Sequence, residues 1–584
     1  MTELKTRWTD KVNCDCPLPE YPRPQLQRKD WQNLNGRFDY AITRMTDEIP
    51  LSYDGEIIVP FAPECYLSGV GKTPAEDEYL WYRKKFTLDS CFDEKKVLLH
   101  FGAVDYKCKV FINSRLAGEH TGGYVPFTLD ITSFIRYEEE NELVVQVWDP
   151  TDSSWQDRGK QVKQSQGFWY TSTSGIWQTV WLEPVSEIYI KNIKLTPDID
   201  DNSIRIETEF DGDAAVKAII KDGDSIIFAG VIGKDENVKI KSPKLWSPES
   251  PFLYDAVVAL CDEDGALIDA VTTYFGMRKF SVNTDINGIP RLFLNNRPYF
   301  QNGLLDQGYW SDGGLTAPCD EAMIFDIQSM KDLGFNMLRK HIKVEPHRWY
   351  YHCDKIGMLV WQDMVCGANN IDMLLVGVLP NVYLRKIKDN NYKWFGVENE
   401  ECREEHTKNI FATMDNLYNF PSIACWVPFN EAWGQFDAKR IAEQMKIYDP
   451  TRFVDHASGW HDQGGPDFKS VHQYILPVIT PKADGRPFVL SEFGGYSRII
   501  ENHVWNRKKS FGYVMFKTKE TLTKAYKKLF EKQIIPKIRK GLSATVYTQV
   551  SDVEFEVNGI YTYDRELLKL DADTVKEINS RMKY

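Results

Sequence analysis

The 584-residue sequence predicts a multidomain protein in which a jelly-roll-like β-sandwich and an immunoglobulin-like β-sandwich precede a C-terminal (β/α)8 TIM barrel. Three observations predict this fold class. Short β-rich runs separated by turn residues occupy the first half of the chain, and amphipathic helices alternate with short apolar runs in the second half. The chain is also too long for a single hydrophobic core, since one domain usually takes about 100–200 residues.

The first predicted domain, residues 1–184, contains a series of strand candidates between Glu78 and Glu183. They are EYLWYRKKFTL, KVLLHFG, KVFIN, NELVVQVWD and IWQTVWLEP. Their alternation of apolar and polar residues is typical of antiparallel sheets, so a sandwich or jelly roll is expected. The second predicted domain, residues 185–280, is again rich in strand candidates, and its length and turn spacing suit an immunoglobulin-like sandwich.

The third predicted domain, residues 281–584, alternates helices with strands. Its first helix is predicted from DEAMIFDIQSMKDLGFN, which has apolar residues at helical spacing and Gly334 near its end. The eight strand candidates are YFQNG, NMLRK, MLVWQ, ACWVPFN, FVDH, SVHQY, FVLSE and ATVYTQ. Eight strands interleaved with helices over about 300 residues predict a TIM barrel. The stretch from Gly367 to Asn399 fits neither pattern and is expected to form a long loop over the barrel mouth.

The composition excludes several classes of partner. A formal net charge of −13 gives no attraction to phosphate backbones, so nucleic acid is not expected to bind. The N-terminus has no apolar signal segment, and no run of about 18 apolar residues could span a bilayer, so a cytoplasmic protein without a membrane partner is expected. The 11 cysteines are scattered and lack the spacing of a zinc site, which predicts reduced thiols.

Two glutamates follow strand candidates of the predicted barrel. Glu431 ends the fourth candidate and Glu492 ends the seventh. Because the active sites of TIM barrels lie at the carboxyl ends of the strands, both carboxylates are expected at one cleft. Cleavage of a glycosidic bond needs such a pair, one to protonate the leaving oxygen and one to attack or stabilise the sugar cation. One strand-terminal glutamate alone is more often a helix cap, but the matched pair favours the catalytic interpretation.

The motifs around these glutamates resemble those of glycoside hydrolase family 2. Asn430-Glu431 in WVPFNEAWG resembles the acid/base signature of that family, and Ser491-Glu492-Phe493-Gly494 resembles its nucleophile motif. AVDYKCKVFINSRLAGEHTGGYVPFTLDIT and SGIWQTVWLEP resemble its sugar-binding domain, and LWSPESPFLYD and YFGMRKF resemble its immunoglobulin-like domain. The resemblance implies a retaining, exo-acting β-glycoside hydrolase that works by double displacement on a carbohydrate substrate without a cofactor, with homo-oligomers possible.

The resemblance also implies roles for supporting residues. Asn430 would contact the sugar 2-hydroxyl, and Arg339 would keep the nucleophile ionised. His341 follows that arginine by two residues, whereas family members usually have a histidine three residues after it. Tyr474 resembles a sixth-strand tyrosine that contacts the nucleophile, and Tyr547 stands where the family commonly has a tryptophan on which the sugar stacks.

Other candidates are weaker. Asp149 in VWDPTD would reach in from the first domain to bind sugar hydroxyls, or it would simply form an Asp-Pro turn. His456, His461 and His472 lie in or beside the fifth and sixth loops without the spacing of metal ligands. They are interpreted as structural histidines, and no metal is predicted.

The sugar is expected to be neutral, with a β-galactoside as the first candidate. Relatives that cleave β-glucuronides carry an Asn-x-Lys motif after the eighth strand, whereas here the residue two positions after Asn558 is Ile560. A uronate would then be buried without a counter-charge. A β-glucuronidase or β-galacturonidase remains the alternative, with Lys340 or Lys343 as the cation.

Two further alternatives differ in mechanism or class. An inverting hydrolase would separate the carboxyl groups by about 6.5–9.5 Å, whereas a retaining one separates them by about 5–5.5 Å. A catalytically silent carbohydrate-binding protein would have no need of both glutamates.

Overall fold

The computed structural model describes residues 4–45, 48–233, 236–368, 371–378, 386–474 and 476–584. The N-terminal domain is a β-sandwich of two antiparallel sheets. The larger sheet has the spatial order Gly55–Val59, Gly36–Arg44, Glu78–Phe86, Asn141–Trp148, Lys107–Ile112 and Arg115–Thr121. The smaller sheet has the order Gln32–Asn33, Val180–Val185, Lys96–Phe101 and Phe127–Asp130. Alternate residues such as Val110, Ile112, Leu143 and Val145 are fully buried between the sheets.

The middle domain is a second antiparallel β-sandwich. Its first sheet has three strands in the spatial order Asn192–Asp198, Ser203–Glu209 and Asn237–Lys239. Its second sheet has four strands in the order Ser225–Val231, Ala215–Asp222, Tyr254–Cys261 and Leu267–Phe275. Ile204, Ile220 and Val258 lie in the core between the two sheets. A small sheet of Phe280–Thr284, Pro290–Leu294 and Arg297–Pro298 follows. It packs against Met337 and Leu359 at the amino ends of barrel strands, so it covers the end of the barrel opposite the expected active site.

The C-terminal domain contains the eight predicted barrel strands in one parallel sheet. They are β1 Gln301–Asp306, β2 Met337–Lys340, β3 Leu359–Asp363, β4 Ile423–Val427, β5 Phe453–Val454, β6 Lys469–Gln473, β7 Phe488–Gly494 and β8 Leu542–Thr548. Their spatial order is β5, β4, β3, β2, β1, β8, β7, β6. Most of these strands are buried along their whole length, as expected for parallel strands covered on both faces. The predicted multidomain fold class is confirmed.

The edge strands β5 and β6 are joined by side chains. Among the described residues no backbone ladder connects these two strands. Instead Ser470 Oγ in β6 donates a hydrogen bond to Asp455 Oδ2, at 2.8 Å, just after β5. Ser458, three residues later, lies 3.1 Å from His472 Nε2 in β6. The curled sheet therefore closes through polar side chains at the end where the two glutamates lie.

The helices surround the sheet unevenly. They are α1 Asp320–Asp332, α2 His347–Ile356, α3 Glu400–Leu417, α4 Ala438–Tyr448, α5 Lys519–Leu529, α6 Ile535–Ile538 and α7 Ala572–Asn579. The π-helical stretch Phe530–Ile534 joins α5 to α6. No α-helix follows β5 or β6 within the described residues. Gly459, Gly464 and Pro466 explain this difference after β5, because glycine and proline disfavour helices.

The predicted loop between β3 and α3 is largely irregular. In its described part, only the π-helical stretch Met373–Val378 is regular. Residues 369, 370 and 379–385 of this prediction lie outside the described residues. All eleven cysteines are unpaired, as predicted. None of the helices in the described ranges combines the length and the apolar character needed to cross a bilayer.

Candidate active site

The two predicted glutamates meet at the carboxyl end of the barrel. Glu492 lies within β7 and is 3% exposed, whereas the side chain of Glu431, beyond β4, is 28% exposed. Glu431 and Ala432 both adopt left-handed backbone conformations, with φ of 49° and 65°. Such conformations are uncommon for residues other than glycine and are often found at functional sites. The backbone N–H of Glu431 donates to Ser458 O at 2.9 Å, which fixes this turn.

His472 lies between the two carboxylates. Its Nδ1 is 2.7 Å from Glu431 Oε1, and its Nε2 is 3.7 Å from Glu492 Oε1. One potential ligand atom from each of these three residues lies within 4.8 Å of the other two. The interpretation of His472 as a purely structural histidine therefore missed its position. The residue type of His472 does not by itself indicate a place in the site. Strand alternation does, because His472 lies on the same strand face as Tyr474, two residues later.

The same three side chains have a spacing that also suits a metal ion. Each of them already has a hydrogen-bonding partner, and the guanidinium of Arg339 beside Glu492 opposes a second cation there. The expectation that no metal takes part stays a prediction.

Arg339 connects the nucleophile candidate to its surroundings. Its Nη1 donates to Glu492 Oε1 at 3.0 Å, and its Nη2 donates to Asn430 Oδ1 at 2.8 Å. Nε and Nη2 form a bidentate pair with Asp363, at 2.9 and 3.0 Å. Burial by itself raises the pKa of Glu492, but the neighbouring His472 and Arg339 outweigh it and lower that pKa to about 2. Glu492 is therefore ionised at neutral pH, as a nucleophile requires.

Asp363 is a site residue that the sequence reasoning missed. It is the last residue of β3 and is 1% exposed. His341, a predicted sugar contact, places its Nδ1 2.6 Å from Asp363 Oδ2. Burial, followed by the charge of Lys160, lowers the pKa of His341 well below its ordinary value, so the ring is neutral. The rule that strand-terminal residues line the mouth would have found Asp363, because it follows MLVWQ directly.

Tyr474 is hydrogen-bonded to the nucleophile candidate. Its hydroxyl donates to Glu492 Oε2, and its ring stacks on Tyr513 with centroids 4.0 Å apart. Burial and the charge of Glu492 raise the pKa of Tyr474 well above 10, so the phenol remains a hydrogen-bond donor. Asn430 accepts from Arg339 through its amide oxygen, which leaves its amide N–H groups as donors for a ligand.

Tyr547 and Asp149 are not brought to this cluster. Tyr547 is 1% exposed and packs against Phe493, Tyr526 and Phe530, in the layer between the barrel and its helices. Successive residues of a strand point to opposite faces, so Thr548 is the residue of β8 whose side chain meets Tyr474. A buried ring in this layer has no face for a sugar.

Asp149 is engaged within its own domain. Its Oδ2 accepts from Ser174 Oγ at 2.8 Å, and its Oδ1 accepts from the backbone N–H of Thr151 at 2.7 Å. It is 5% exposed, and burial raises its pKa. These bonds correspond to the turn-forming alternative rather than to a sugar contact.

Family models match three consecutive parts of the chain. Residues 68–184 match the sugar binding domain of glycosyl hydrolases family 2, residues 188–278 match the family's model of the same name, and residues 290–480 match its TIM barrel domain. Together these matches cover more than half of the chain, and they confirm the resemblance on which the sequence interpretation was built.

Curated relatives carry two different activities in their names. A putative beta-glucuronidase of Formosa agariphila is 26% identical over 463 residues, which cover 72% of this chain and 51% of that protein. A beta-galactosidase of Halalkalibacterium halodurans is 24% identical over 480 residues, which cover 75% of this chain and 44% of that protein. The chain spans about half the length of the curated relatives it matches.

Solved structures of similar length share the fold. The beta-D-glucuronidase of Dictyoglomus thermophilum has a TM-score of 0.75 at 19% identity, with 96% of this chain and 98% of that chain covered. A beta-galacturonidase from Eisenbergiella tayi has a TM-score of 0.72 at 20% identity, with 96% and 99% covered.

Proposed function

Because the chain belongs to glycoside hydrolase family 2, we propose that it is a retaining, exo-acting β-glycoside hydrolase with Glu431 as acid/base and Glu492 as nucleophile. One observation carries the proposal. Carboxylate oxygens of the two glutamates lie within 4.8 Å of each other. Such a close approach of two carboxylate oxygens favours the separation of roughly 5–5.5 Å between the carboxyl groups of retaining enzymes over the about 6.5–9.5 Å of inverting enzymes.

The first step would form a glycosyl-enzyme intermediate. A carboxylate oxygen of Glu492 bonds to the anomeric carbon while Glu431 transfers its proton to the departing glycosidic oxygen. In the second step Glu431 takes a proton from water, and the water oxygen displaces Glu492 from the anomeric carbon. The configuration is inverted twice and so retained.

The surrounding contacts support these roles. Arg339 keeps Glu492 ionised, and the Tyr474 hydroxyl binds its other oxygen. Both carboxylate oxygens of Glu492 are thereby held in place before a substrate binds. His472 fixes the carboxylate of Glu431, which is the more exposed of the two and so is open to leaving groups and water. Asn430 is positioned by Arg339 to donate to a sugar hydroxyl.

Two sugars are candidates. A neutral β-galactoside is favoured by Ile560, which is 1% exposed at the position where the family resemblance implies a lysine in enzymes that cleave uronides. Lys340 and Lys343 do not supply the missing cation, because both are buried and both bind Glu345, at 2.8 Å. A uronide is the second candidate, and it is favoured by a different cation, Lys160, which lies over the rings of Tyr170 and Phe168.

Two variants and one control test the catalytic roles. Glu492→Gln should abolish turnover of aryl β-glycosides and leave the fold intact, since only a carboxylate forms the intermediate. Glu431→Ala should slow substrates with poor leaving groups far more than activated aryl glycosides, which need little protonation. Glu443→Gln, on the exposed face of α4, is the matched control and should behave like wild type.

Three outcomes would contradict the proposal. Turnover by the Glu492→Gln variant at the wild-type rate would show that Glu492 is not the nucleophile. Equal losses on both substrate types would remove Glu431 as the acid. Binding of sugars with no turnover of any β-glycoside, and no covalent trapping of Glu492 by 2-fluoro glycosides followed by mass spectrometry, would favour a silent carbohydrate-binding protein.

A further inference from the structure

A segment of the N-terminal sandwich reaches the mouth of the barrel. The backbone N–H of Gly159 donates to Cys366 O at 3.0 Å, just beyond β3. A Cβ atom on Gly159 would lie 2.8 Å from Ile342 O, and one on Gly367 would lie 2.0 Å from Gln156 O. Only glycine permits backbones to approach this closely. The next residue, Lys160, is therefore held beside the loops that follow β2 and β3.

Lys160 is a partly exposed cation on an aromatic surface. Its Nζ lies 5.6 Å from the ring centroid of Tyr170 and 5.9 Å from that of Phe168. Cation–π contacts of this kind hold an ammonium group without neutralising it. Within the described ranges, Lys160 forms no ion pair with a carboxylate. A lysine at a protein surface usually extends into water, whereas the charge of Lys160 acts on His341, which is bonded to Asp363 in the candidate site.

A second cation from the same segment, Arg158, has no carboxylate partner among the residues that the structure describes. Arg158 is 9% exposed, and its Nη1 donates only to the backbone oxygen of Ala368, at 3.0 Å. Its Nε has no partner among the described residues. The guanidinium lies 5.6 Å from the ring centroid of Trp433, two residues after Glu431. The segment thus adds two uncompensated positive charges beside the catalytic candidates, and a buried cation without a counter-charge is costly unless a ligand provides one.

Four other cations among the described residues of the barrel domain are already neutralised. They are Arg339 with Asp363 and Glu492, Lys340 with Asp306 and Glu345, Lys343 with Glu345, and Lys569 with Asp552. A negatively charged group entering the mouth would have to displace a buried carboxylate to bind any of these four. Lys160 requires no such exchange.

An aromatic wall connects Lys160 to the nucleophile candidate. Phe168, over which Lys160 lies, contacts Phe511 with ring centroids 5.7 Å apart. Phe511 contacts Tyr513 at 5.4 Å, and Tyr513 stacks on Tyr474, which is bonded to Glu492. Flat aromatic surfaces suit the apolar faces of sugar rings. These contacts form a continuous series of aromatic rings that links Lys160 to Tyr474, whose hydroxyl is bonded to the nucleophile candidate.

We propose that Lys160 binds a carboxylate of the substrate, so that the enzyme prefers acidic β-glycosides over neutral ones. This inference rests on the proposed function as a β-glycosidase and replaces the sequence-based preference for a neutral galactoside. The carboxylate can belong to the sugar that is cleaved, as in a uronide, or to the leaving group. Pairing of an ammonium group with a carboxylate in a partly desolvated cleft is a charge-assisted hydrogen bond, which is stronger than a bond between neutral groups.

The test compares four proteins on matched substrates. Wild type, Lys160→Met, Lys160→Arg and the control Lys163→Met are assayed for kcat/KM. Lys163 is three residues away and points toward Glu76 and Ser153 instead. The substrates are 4-nitrophenyl β-glucuronide, β-galacturonide, β-galactoside and β-glucoside, together with 3-carboxy-4-nitrophenyl β-galactoside, which carries its carboxylate on the leaving group.

Wild type should prefer an acidic substrate by at least about tenfold. Lys160→Met should lower kcat/KM for that substrate by about 30-fold or more and change the neutral ones little, because a hydrogen bond to a charged group is lost. Lys160→Arg should keep most of the preference, and Lys163→Met all of it. Preference for a uronide assigns the carboxylate to the cleaved sugar, whereas preference for the carboxylated leaving group assigns it to the leaving-group side.

The two proposals fail in different ways. A wild-type enzyme that hydrolyses neutral glycosides best, or a Lys160→Met variant that loses activity equally on all substrates, overturns the role of Lys160 and leaves the glycosidase intact. Absence of turnover on every substrate, with no covalent trapping of Glu492, overturns the glycosidase. Calorimetric titration with glucuronate, galacturonate, glucose and galactose gives a readout without turnover. Acid binding that Lys160→Met does not weaken also overturns the proposal.

Discussion

Replacement of Arg339 gives a quantitative test of how the barrel prepares its nucleophile. The pKa of Glu492 lies at about 2 instead of its ordinary 4.5, although burial acts in the opposite direction. This shift corresponds to about 3.5 kcal/mol in favour of the ionised carboxylate, at roughly 1.4 kcal/mol per pKa unit. Arg339 is one of its two largest causes, with His472. Arg339→Met should therefore raise the pKa of Glu492, because the guanidinium no longer helps His472 to oppose the effect of burial.

Arg339→Lys separates charge from geometry. A lysine keeps the positive charge but cannot bind Asp363 bidentately while also donating to Asn430. Its pKa effect on Glu492 should be largely preserved, whereas kcat should fall because Asn430 loses its fixed position. The assay is kcat/KM for an activated aryl β-glycoside from pH 4 to 8, with thermal unfolding followed in the same buffers.

Wild type and the Arg339→Met variant are expected to lose activity and stability in different ranges of pH. In wild type, the depressed pKa of Glu492 contributes stability that is present above pH 4.5 and is lost as the pH falls toward 2. The Arg339→Met variant should show a new acid limb within the measured range and a stability loss of about 3–5 kcal/mol, since Asp363 and Glu492 lose their buried counter-charge. Arg452→Met is the control, because Arg452 is equally buried but binds Asp449 at the other end of the barrel. A profile for Arg339→Met that superimposes on wild type would refute the reasoning.

Two further predictions concern His472 and Glu64. His472→Ala should lower kcat/KM about 10–100-fold for substrates with poor leaving groups and much less for activated ones, because Glu431 loses a charge-assisted partner. Equal losses on both kinds of substrate would contradict a role of His472 in holding the acid. Burial raises the pKa of Glu64 to about 8, so its contribution to stability should fall as the pH rises from about 4.5 to 8. Glu64→Gln should remove this slope in urea unfolding at pH 5.5 and 8, unlike the exposed control Glu56→Gln.

The barrel strands and the positions of Glu431 and Glu492 could be predicted because both follow from local patterns. Parallel strands buried on two faces appear as short apolar runs, and each run ends where the mouth begins. That no α-helix follows β5 or β6 within the described residues was harder to predict from the sequence. Glycine and proline signals were present at Gly459, Gly464 and Pro466, but the expected repetition of the barrel outweighed them.

Whether a strand residue belongs to the site depends on the face of the strand that its side chain occupies. The type of residue is a poor guide to that face. The replacement of a tryptophan by a tyrosine predicts a sugar platform at Tyr547, yet this residue faces the helices. The lack of metal-ligand spacing predicts a structural role for His472, yet it shares a strand face with Tyr474 and contacts Glu431. Alternation along each strand, counted from one residue known to face the mouth, would have corrected both assignments.

Lys160 lies beyond what local patterns can predict. It is more than 150 residues from the catalytic candidates in sequence, and its place depends on how the first domain packs on the barrel. The only sequence signals are Gly159 and Gly367, whose significance becomes visible once the two backbones are seen in contact. Catalytic carboxylates must sit on rigid strands because the chemistry tolerates little displacement. A charge that selects substrates can come from a loop of another domain, since an ammonium group acts over a longer range. This separation between catalytic carboxylates on strands and a substrate-selecting charge on a loop predicts the behaviour of Lys160→Met. The variant should change the ranking of substrates, while Glu492 is still trapped by a neutral 2-fluoro glycoside.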